Sequence, residues 1–202
     1  MTTIIPKLLL ATSNPGKIRE YRALLDGLCY EITTLAEEGI TKVVTESRNS
    51  YEQNARLKAL SYAELSQLLT LADDSGLEVD ALNGEPGIKS ARFAGKAATD
   101  TDRVSLLLAR LNGVPWERRT ACFKCVIAIA TPEGQCQICR GECRGMITLA
   151  PSGRNGFGYD PVFLLPELGK TLAELPSETK NQVSHRARAS QEARQILQRL
   201  QN

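Results

Sequence analysis

The stretch Lys7-Leu8-Leu9-Leu10-Ala11-Thr12-Ser13-Asn14-Pro15-Gly16-Lys17 sets the frame in which the rest of the chain is read. Its first half is short and apolar, the pattern of a strand buried on both faces, and its second half is a turn running straight into a helix. Asn14 suits the N-cap and Pro15 the first helical position, where a missing N–H costs nothing. Behind them Ile18, Tyr21, Leu24 and Leu25 share one helix face that ends near Gly27. A buried strand feeding a capped helix is how an α/β fold begins.

Working outward, the spacing of Tyr51, Ala55, Tyr62, Leu65 and Leu69 predicts a second helix from about Ser50 to Leu69. It leads into Leu71-Ala72-Asp73-Asp74-Ser75-Gly76. The alternation of Leu77 to Leu82, broken at Asn83-Gly84, predicts a strand entering a turn. Asp102 to Leu111 reads as a third helix. Thr120 to Ala130 and Gln135 to Leu149, joined by Pro132-Glu133-Gly134, read as a long hairpin. Val183 to Leu200 carries Ala189, Ala193, Ile196, Leu197 and Leu200 at helical spacing. Helices, strands and a hairpin interleaved in this way predict an α/β fold on a mixed β-sheet, with functional groups at strand ends.

The chain has 202 residues, 42% hydrophobic and 24% charged, with net charge +2. For this mass, about 70% of the unfolded surface can be buried, so a core forms without disulfide staples. The balance excludes a disordered tail and a protein held to nucleic acid by bulk charge. No apolar run approaches the roughly 20 residues that cross a bilayer. The start, Met1-Thr2-Thr3-Ile4-Ile5-Pro6-Lys7, lacks the pattern of a secretory leader, so a cytoplasmic, single-domain protein is expected.

Four places break the ordinary rules of sequence. The start of the first helix points N–H groups and a positive dipole end outward with Lys17 in the first turn, which suits a phosphate or is an ordinary capped helix. Asp73 and Asp74 follow an apolar run, as dehydrated carboxylates that a cation could compensate or as a solvated Asp-Asp-Ser-Gly turn. Gly156-Phe157-Gly158-Tyr159-Asp160-Pro161 sets two aromatics and an acid among glycines, either to bind a flat base or as a covered turn. Ser184 as N-cap would put His185, the only histidine, and Arg186 at the helix end where cations are disfavoured, with Lys180 just upstream.

Cys122-x-x-Cys125 and Cys136-x-x-Cys139 have the inner spacing of a zinc ribbon. The segment from Cys122 to Ile129 reads as unbroken strand, however, and residues three apart on a strand face opposite sides. Free thiols are the expectation.

Taken together, Thr12 to Lys17, Asn54-Ala55-Arg56-Leu57-Lys58-Ala59, Ala72 to Leu77, Pro86-Gly87-Ile88, Ser90-Ala91-Arg92, Gly156 to Pro161 and Ser184-His185-Arg186 resemble the inosine/xanthosine triphosphate pyrophosphatase family over nearly the whole chain. The resemblance implies a long mixed sheet flanked by two α/β lobes with the site in a central cleft. It implies Mg²⁺-dependent hydrolysis of deaminated purine nucleoside triphosphates (ITP, dITP, XTP) to the monophosphate and pyrophosphate, by a homodimer with no membrane or direct nucleic-acid partner. Carried over by residue, Thr12, Ser13, Asn14, Pro15, Gly16, Lys17 and Lys58 would hold the triphosphate. Asp74 would be the proton acceptor and, with Glu46, a metal ligand. Ser75, Phe157, Gly158, Tyr159, Asp160, Lys180, His185 and Arg186 would line the nucleotide pocket. Gln53 stands where many relatives have an acid.

An oxopurine presents O6 and N1–H where adenine presents an amine and a bare nitrogen. Donors for O6 and an acceptor for N1–H therefore reject adenine. Guanine shares both groups, so its exclusion must depend on the 2-position. Two other classes fit parts of the pattern: a nucleotide sensor without hydrolysis, and a zinc-ribbon nucleic-acid binder.

Overall fold

The computed structural model describes residues 5–45 and 50–201. Seven strands form one sheet in the order β2-β1-β3-β4-β5-β6-β7. They are β1 (Lys7–Leu10), β2 (Glu31–Thr34), β3 (Leu69–Val79), β4 (Thr120–Ala130), β5 (Cys136–Ile147), β6 (Phe163–Leu165) and β7 (Lys170–Thr171). The helices are α1 (Pro15–Leu24), α2 (Tyr51–Ser66), α3 (Asp100–Arg110), α4 (Ser177–Val183) and α5 (His185–Arg199). β1 runs parallel to β2 and to β3, with Leu8 opposite Ile32 and Leu69, whereas β6 is antiparallel to β5 and β7. The sheet is therefore mixed, as the interleaved elements predict.

The chain divides into two compact units, and it crosses between them inside β3, β4, β5 and α5. The first comprises 1–74, 125–141 and 187–202. β1 and the end of β4 are buried on both faces, and alternate side chains go to different cores. Leu8, Leu10, Cys125, Ile127 and Ile129 pack with Tyr21 and Leu25 of α1 and with Ala189, Ala193, Ile196 and Leu197 of α5. Leu9, Ala11, Val126, Ala128 and Ala130 pack with Ala55, Ala59, Tyr62 and Ala63 of α2. This period-two sorting is why β1 and the end of β4 read as continuous apolar runs. Burying a Leu-sized side chain contributes about 1.5–3 kcal/mol, so these two faces hold the helices in place.

The second unit comprises 75–124 and 142–186. One core joins Leu77 and Val79 of β3, Val104 and Leu107 of α3, Phe123 of β4, Ile147 of β5 and Phe163 of β6. Buried Arg119 donates to the carbonyls of Leu111, Ile147 and Thr148 at 2.8 to 2.9 Å, tying the end of α3 to the end of β5.

The structure departs from expectation in several places. α2 stops at Ser66, with Gln67 in the left-handed region, and Leu65 is exposed while Ala59 and Ala63 are buried. Ala55, Ala59 and Ala63, one per turn, form the ridge of α2 that packs in this core. Asp73-Asp74-Ser75-Gly76 is not a turn but the middle of β3, whose strand ends at Val79 rather than Leu82. The last helical stretch is two helices, broken at Ser184 in extended conformation, and Leu200 lies beyond the second and is exposed. No described helix is long and apolar enough to cross a membrane.

Candidate active site

In the first unit, β1 delivers the chain to the α1 start with Leu8, Leu9 and Leu10 fully buried, so the following loop has a rigid base. Asn14 is the N-cap as predicted: its Oδ1 accepts the N–H of Gly16 at 2.8 Å and of Lys17 at 3.2 Å. Thr12 Oγ1 accepts the Asn14 N–H at 3.2 Å, while Ser13 and Pro15 are exposed. This loop shape leaves Lys17 free to turn inward, where its Nζ lies 3.0 and 2.9 Å from the two carboxylate oxygens of Asp73.

Asp73 and Asp74 are adjacent on β3 and, as strand geometry demands, serve opposite faces. Asp73 faces α1 and meets Lys17 and, at 3.9 Å, the buried Cys125 thiol. Asp74 faces α2, where Asn54 Nδ2 donates to its Oδ2 at 2.9 Å. Lys58, one turn further along α2, donates to the Asp73 carbonyl at 2.5 Å. Both acids are buried, so their charges depend on these partners. In the sequence Asn54 stands only as part of the Asn54-to-Ala59 motif, and Cys125 carries no sign of being a neighbour of Asp73. The spacing of Asn54 and Lys58, four apart on one helix face, was the available signal for the first; nothing local signals the second.

Glu46 lies outside the described residues. Among the described residues no group of three or more His, Cys, Asp or Glu side chains is arranged to hold a metal. The cysteines are dispersed and unbridged. Cys125 and Cys139 lie in the α1/α5 core, Cys136 packs at the α2 core, and Cys122 approaches Glu142 at 4.0 Å. Burial pushes the Cys139 thiol up to about 12.

In the second unit, Ser75, Phe157, Asp160, Lys180 and Arg186 come together. Arg186, 2% exposed, donates to Ser75 Oγ at 3.1 Å, and its guanidinium lies 5.4 Å from the Phe157 ring centre. Lys180 Nζ is 5.1 Å from the same ring and is paired with buried Asp160. Asp160 Oδ2 also accepts the Phe157 N–H at 2.8 Å, which closes the loop on itself. Gly156 must be glycine here: its φ is +77°, and a Cβ would collide with Asp160 Oδ2 and lie 3.0 Å from Lys180 Nζ.

The two aromatics of that loop part company. Phe157 is partly exposed, whereas Tyr159 is 4% exposed and belongs to the hydrophobic core. Its hydroxyl donates to the Ser90 carbonyl at 3.0 Å, and burial raises its pKa. His185 is the first residue of α5 and stacks on Phe123, centroids 4.6 Å apart at 10°.

A mixed-sheet α/β protein with a capped helix start, two lysines and two buried aspartates in one unit, and an aromatic–cation loop in the other, has the donor set of a protein that handles a phosphorylated, ring-bearing ligand. The comparison with known proteins narrows this. The chain belongs to the Ham1 family, whose model matches residues 8–196. The dITP/XTP pyrophosphatase of Desulforamulus reducens is 50% identical over 96% of both chains. That of Geobacter sulfurreducens is 48% identical over 91% of this chain and 92% of its own. Among solved structures, the Staphylococcus aureus Ham1 protein superposes with a TM-score of 0.84 at 38% identity, covering 95% of this chain and 98% of that one. A HAM1 protein from Coxiella burnetii gives 0.86 at 37% identity, covering 96% and 99%.

Proposed function

We propose that this chain hydrolyses the deaminated purine nucleoside triphosphates dITP, ITP and XTP to the monophosphate and pyrophosphate, with Mg²⁺, as a homodimer in the cytoplasm. It thereby removes them before they enter DNA or RNA. The observation that carries this reading is the gathering of Lys17, Lys58 and the Asn14-capped helix start around adjacent, buried Asp73 and Asp74. The names of the relatives at 48–50% identity support the substrate class.

Asp74 offers buried carboxylate oxygens, the donor a small hard cation prefers, and with Glu46 it would hold Mg²⁺. When bound, the ion offsets the charge of the triphosphate oxygens. Asn54 holds one Asp74 oxygen, and the carboxylate would orient the attacking water and take its proton. Lys17, Lys58 and the N–H groups of the α1 start oppose the charge that grows on pyrophosphate as the bond between the α- and β-phosphates breaks. In the second unit, Lys180 and Arg186 are donors for O6 of the base, and Asp160 is an acceptor for N1–H. Adenine, with an amine at position 6 and no N1–H, offers neither the acceptor nor the donor that these groups match.

The test is product analysis with dITP, ITP, XTP, ATP and GTP. Pyrophosphate and monophosphate from the first three with Mg²⁺, and none after EDTA, is the expected result. Release of inorganic phosphate alone overturns the reaction type, and binding of dITP without turnover favours the sensor reading.

A further inference from the structure

The loop Phe157 to Asp160 is held from outside by a residue that belongs to no motif. Asp100 is the first residue of α3, and its Oδ2 accepts the Gly158 N–H at 2.7 Å across 58 residues of sequence. Its Oδ1 is paired with Arg103, which also donates to the carbonyls of Ala98 at 2.6 Å and Ala91 at 3.0 Å. The neighbouring carbonyl, Ser90, accepts the Tyr159 hydroxyl. Two successive loop residues are therefore tied down, Tyr159 to Ser90 of the Gly87–Arg92 3-10 segment and Gly158 to the start of α3, whose Arg103 in turn holds the Ala91 carbonyl.

Asp100 is not needed to cap its own helix. Thr99 and Asp102 form a complete capping box, in which Asp102 Oδ2 accepts from the Thr99 N–H and hydroxyl, and the Asp102 N–H donates back to Thr99 Oγ1. The Asp100 carboxylate is spent instead on Arg103 and on Gly158. Gly158 has φ +64°, so the chain reverses there, with partly exposed Phe157 on one side and core-bound Tyr159 on the other. The N–H that Asp100 holds lies at the pivot of that reversal.

We propose that Asp100, oriented by Arg103, is a positioning residue for the nucleobase: it sets the Gly158 pivot and hence where the Phe157 ring and the Asp160 carboxylate stand. This rests on the proposed function, in which that loop meets the base. Asp100 touches no substrate. Its effect is on binding of the base end, and not on the lysines and helix start of the first unit.

The experiment compares Asp100→Ala and Asp100→Asn in the full chain. Asn keeps an acceptor for the Gly158 N–H and Ala does not. The expected result for Asp100→Ala is a KM for dITP raised about tenfold or more, the worth of a hydrogen bond to a charged group, with kcat within about twofold. Inhibition by pyrophosphate, which lacks a base, stays unchanged, and Asp100→Asn recovers most of the loss. An unchanged KM, a fall in kcat alone, or parallel weakening of dITP and pyrophosphate would overturn the proposal. Asp100→Ser, whose hydroxyl is too short to reach Gly158, carries the same expectations where the alanine variant does not fold. Amide hydrogen exchange of the segment 156–160 is read on the same proteins without substrate. Faster exchange in Asp100→Ala than in wild type supports the pivot, and equal rates refute it. If the wild type leaves dITP intact, the proposed function fails while the exchange result still decides the frame.

Discussion

Replacing Gly156 by alanine should be far more damaging than replacing Gly158, although both are glycines at positive φ in one loop. At +77° and +64° each alanine sits in the left-handed region, which costs about 1–2 kcal/mol. At Gly158 nothing lies within 4 Å of the added Cβ, so that cost is the whole effect. At Gly156 the methyl overlaps the Asp160 carboxylate, with Cγ at 2.9 Å and Lys180 Nζ at 3.0 Å. The carboxylate must leave both Lys180 and the Phe157 N–H. Side-chain exposures of 5% and 4% mean that water cannot take the place of either partner. Breaking such a buried pair costs about 3–5 kcal/mol, for a total near 4–7 kcal/mol against total stabilities of about 5–15. Urea unfolding of the two variants measures the difference. Adding Gly156→Ala to Asp160→Ala closes a double-mutant cycle, because the overlap is then gone and only the backbone cost remains. Equal losses for the two glycine variants, or zero coupling between positions 156 and 160, would refute the reasoning.

Asp74→Asn keeps size and the hydrogen bond from Asn54 but removes the basic charge, so kcat for dITP should fall about 10²–10⁴-fold in the pyrophosphate-release assay; near wild-type turnover removes Asp74 as the proton acceptor. Stability should decline in alkali. Burial raises the Cys139 thiol from 9.0 to about 12 and raises the Tyr159 hydroxyl as well, so above pH 9 the unfolded chain releases protons that the folded one retains. Fewer bound protons in the unfolded state make the slope of unfolding free energy against pH negative. The contribution is whole below about pH 9 and is lost as pH climbs toward 12. Urea midpoints at pH 8, 9 and 10 follow it, and a flat or rising series contradicts it.

Much of this protein is local in origin. Lys7 to Lys17 encodes its strand, cap and helix within eleven residues, because a β-buried apolar run, an Asn with an N-terminal Pro, and a helical stripe each act over neighbours in sequence. β4 matches the predicted bounds, since alternation and the turn at its end are local too. β2 went unread. Its four residues, Glu31-Ile32-Thr33-Thr34, are too few to show a period, and pairing with β1 makes them a strand. The Asp73-Asp74 pair was legible as unusual, but its conformation was not. Asp-Asp-Ser-Gly alone favours a turn, and its place in a long strand of the sheet, next to β4, makes it the centre of β3.

The sequence by itself determined which chemical groups this protein has, which short segments carry them, and the helices and strands with a long local pattern, because those follow from composition and short-range steric preference. Tertiary structure alone decided which groups meet: Lys17 with Asp73 across 56 residues, Cys125 with Asp73 across 52 and Asp100 with Gly158 across 58. Such contacts depend on strand order and on which face each residue takes, quantities set by burial of the whole chain, so no window of sequence contains them.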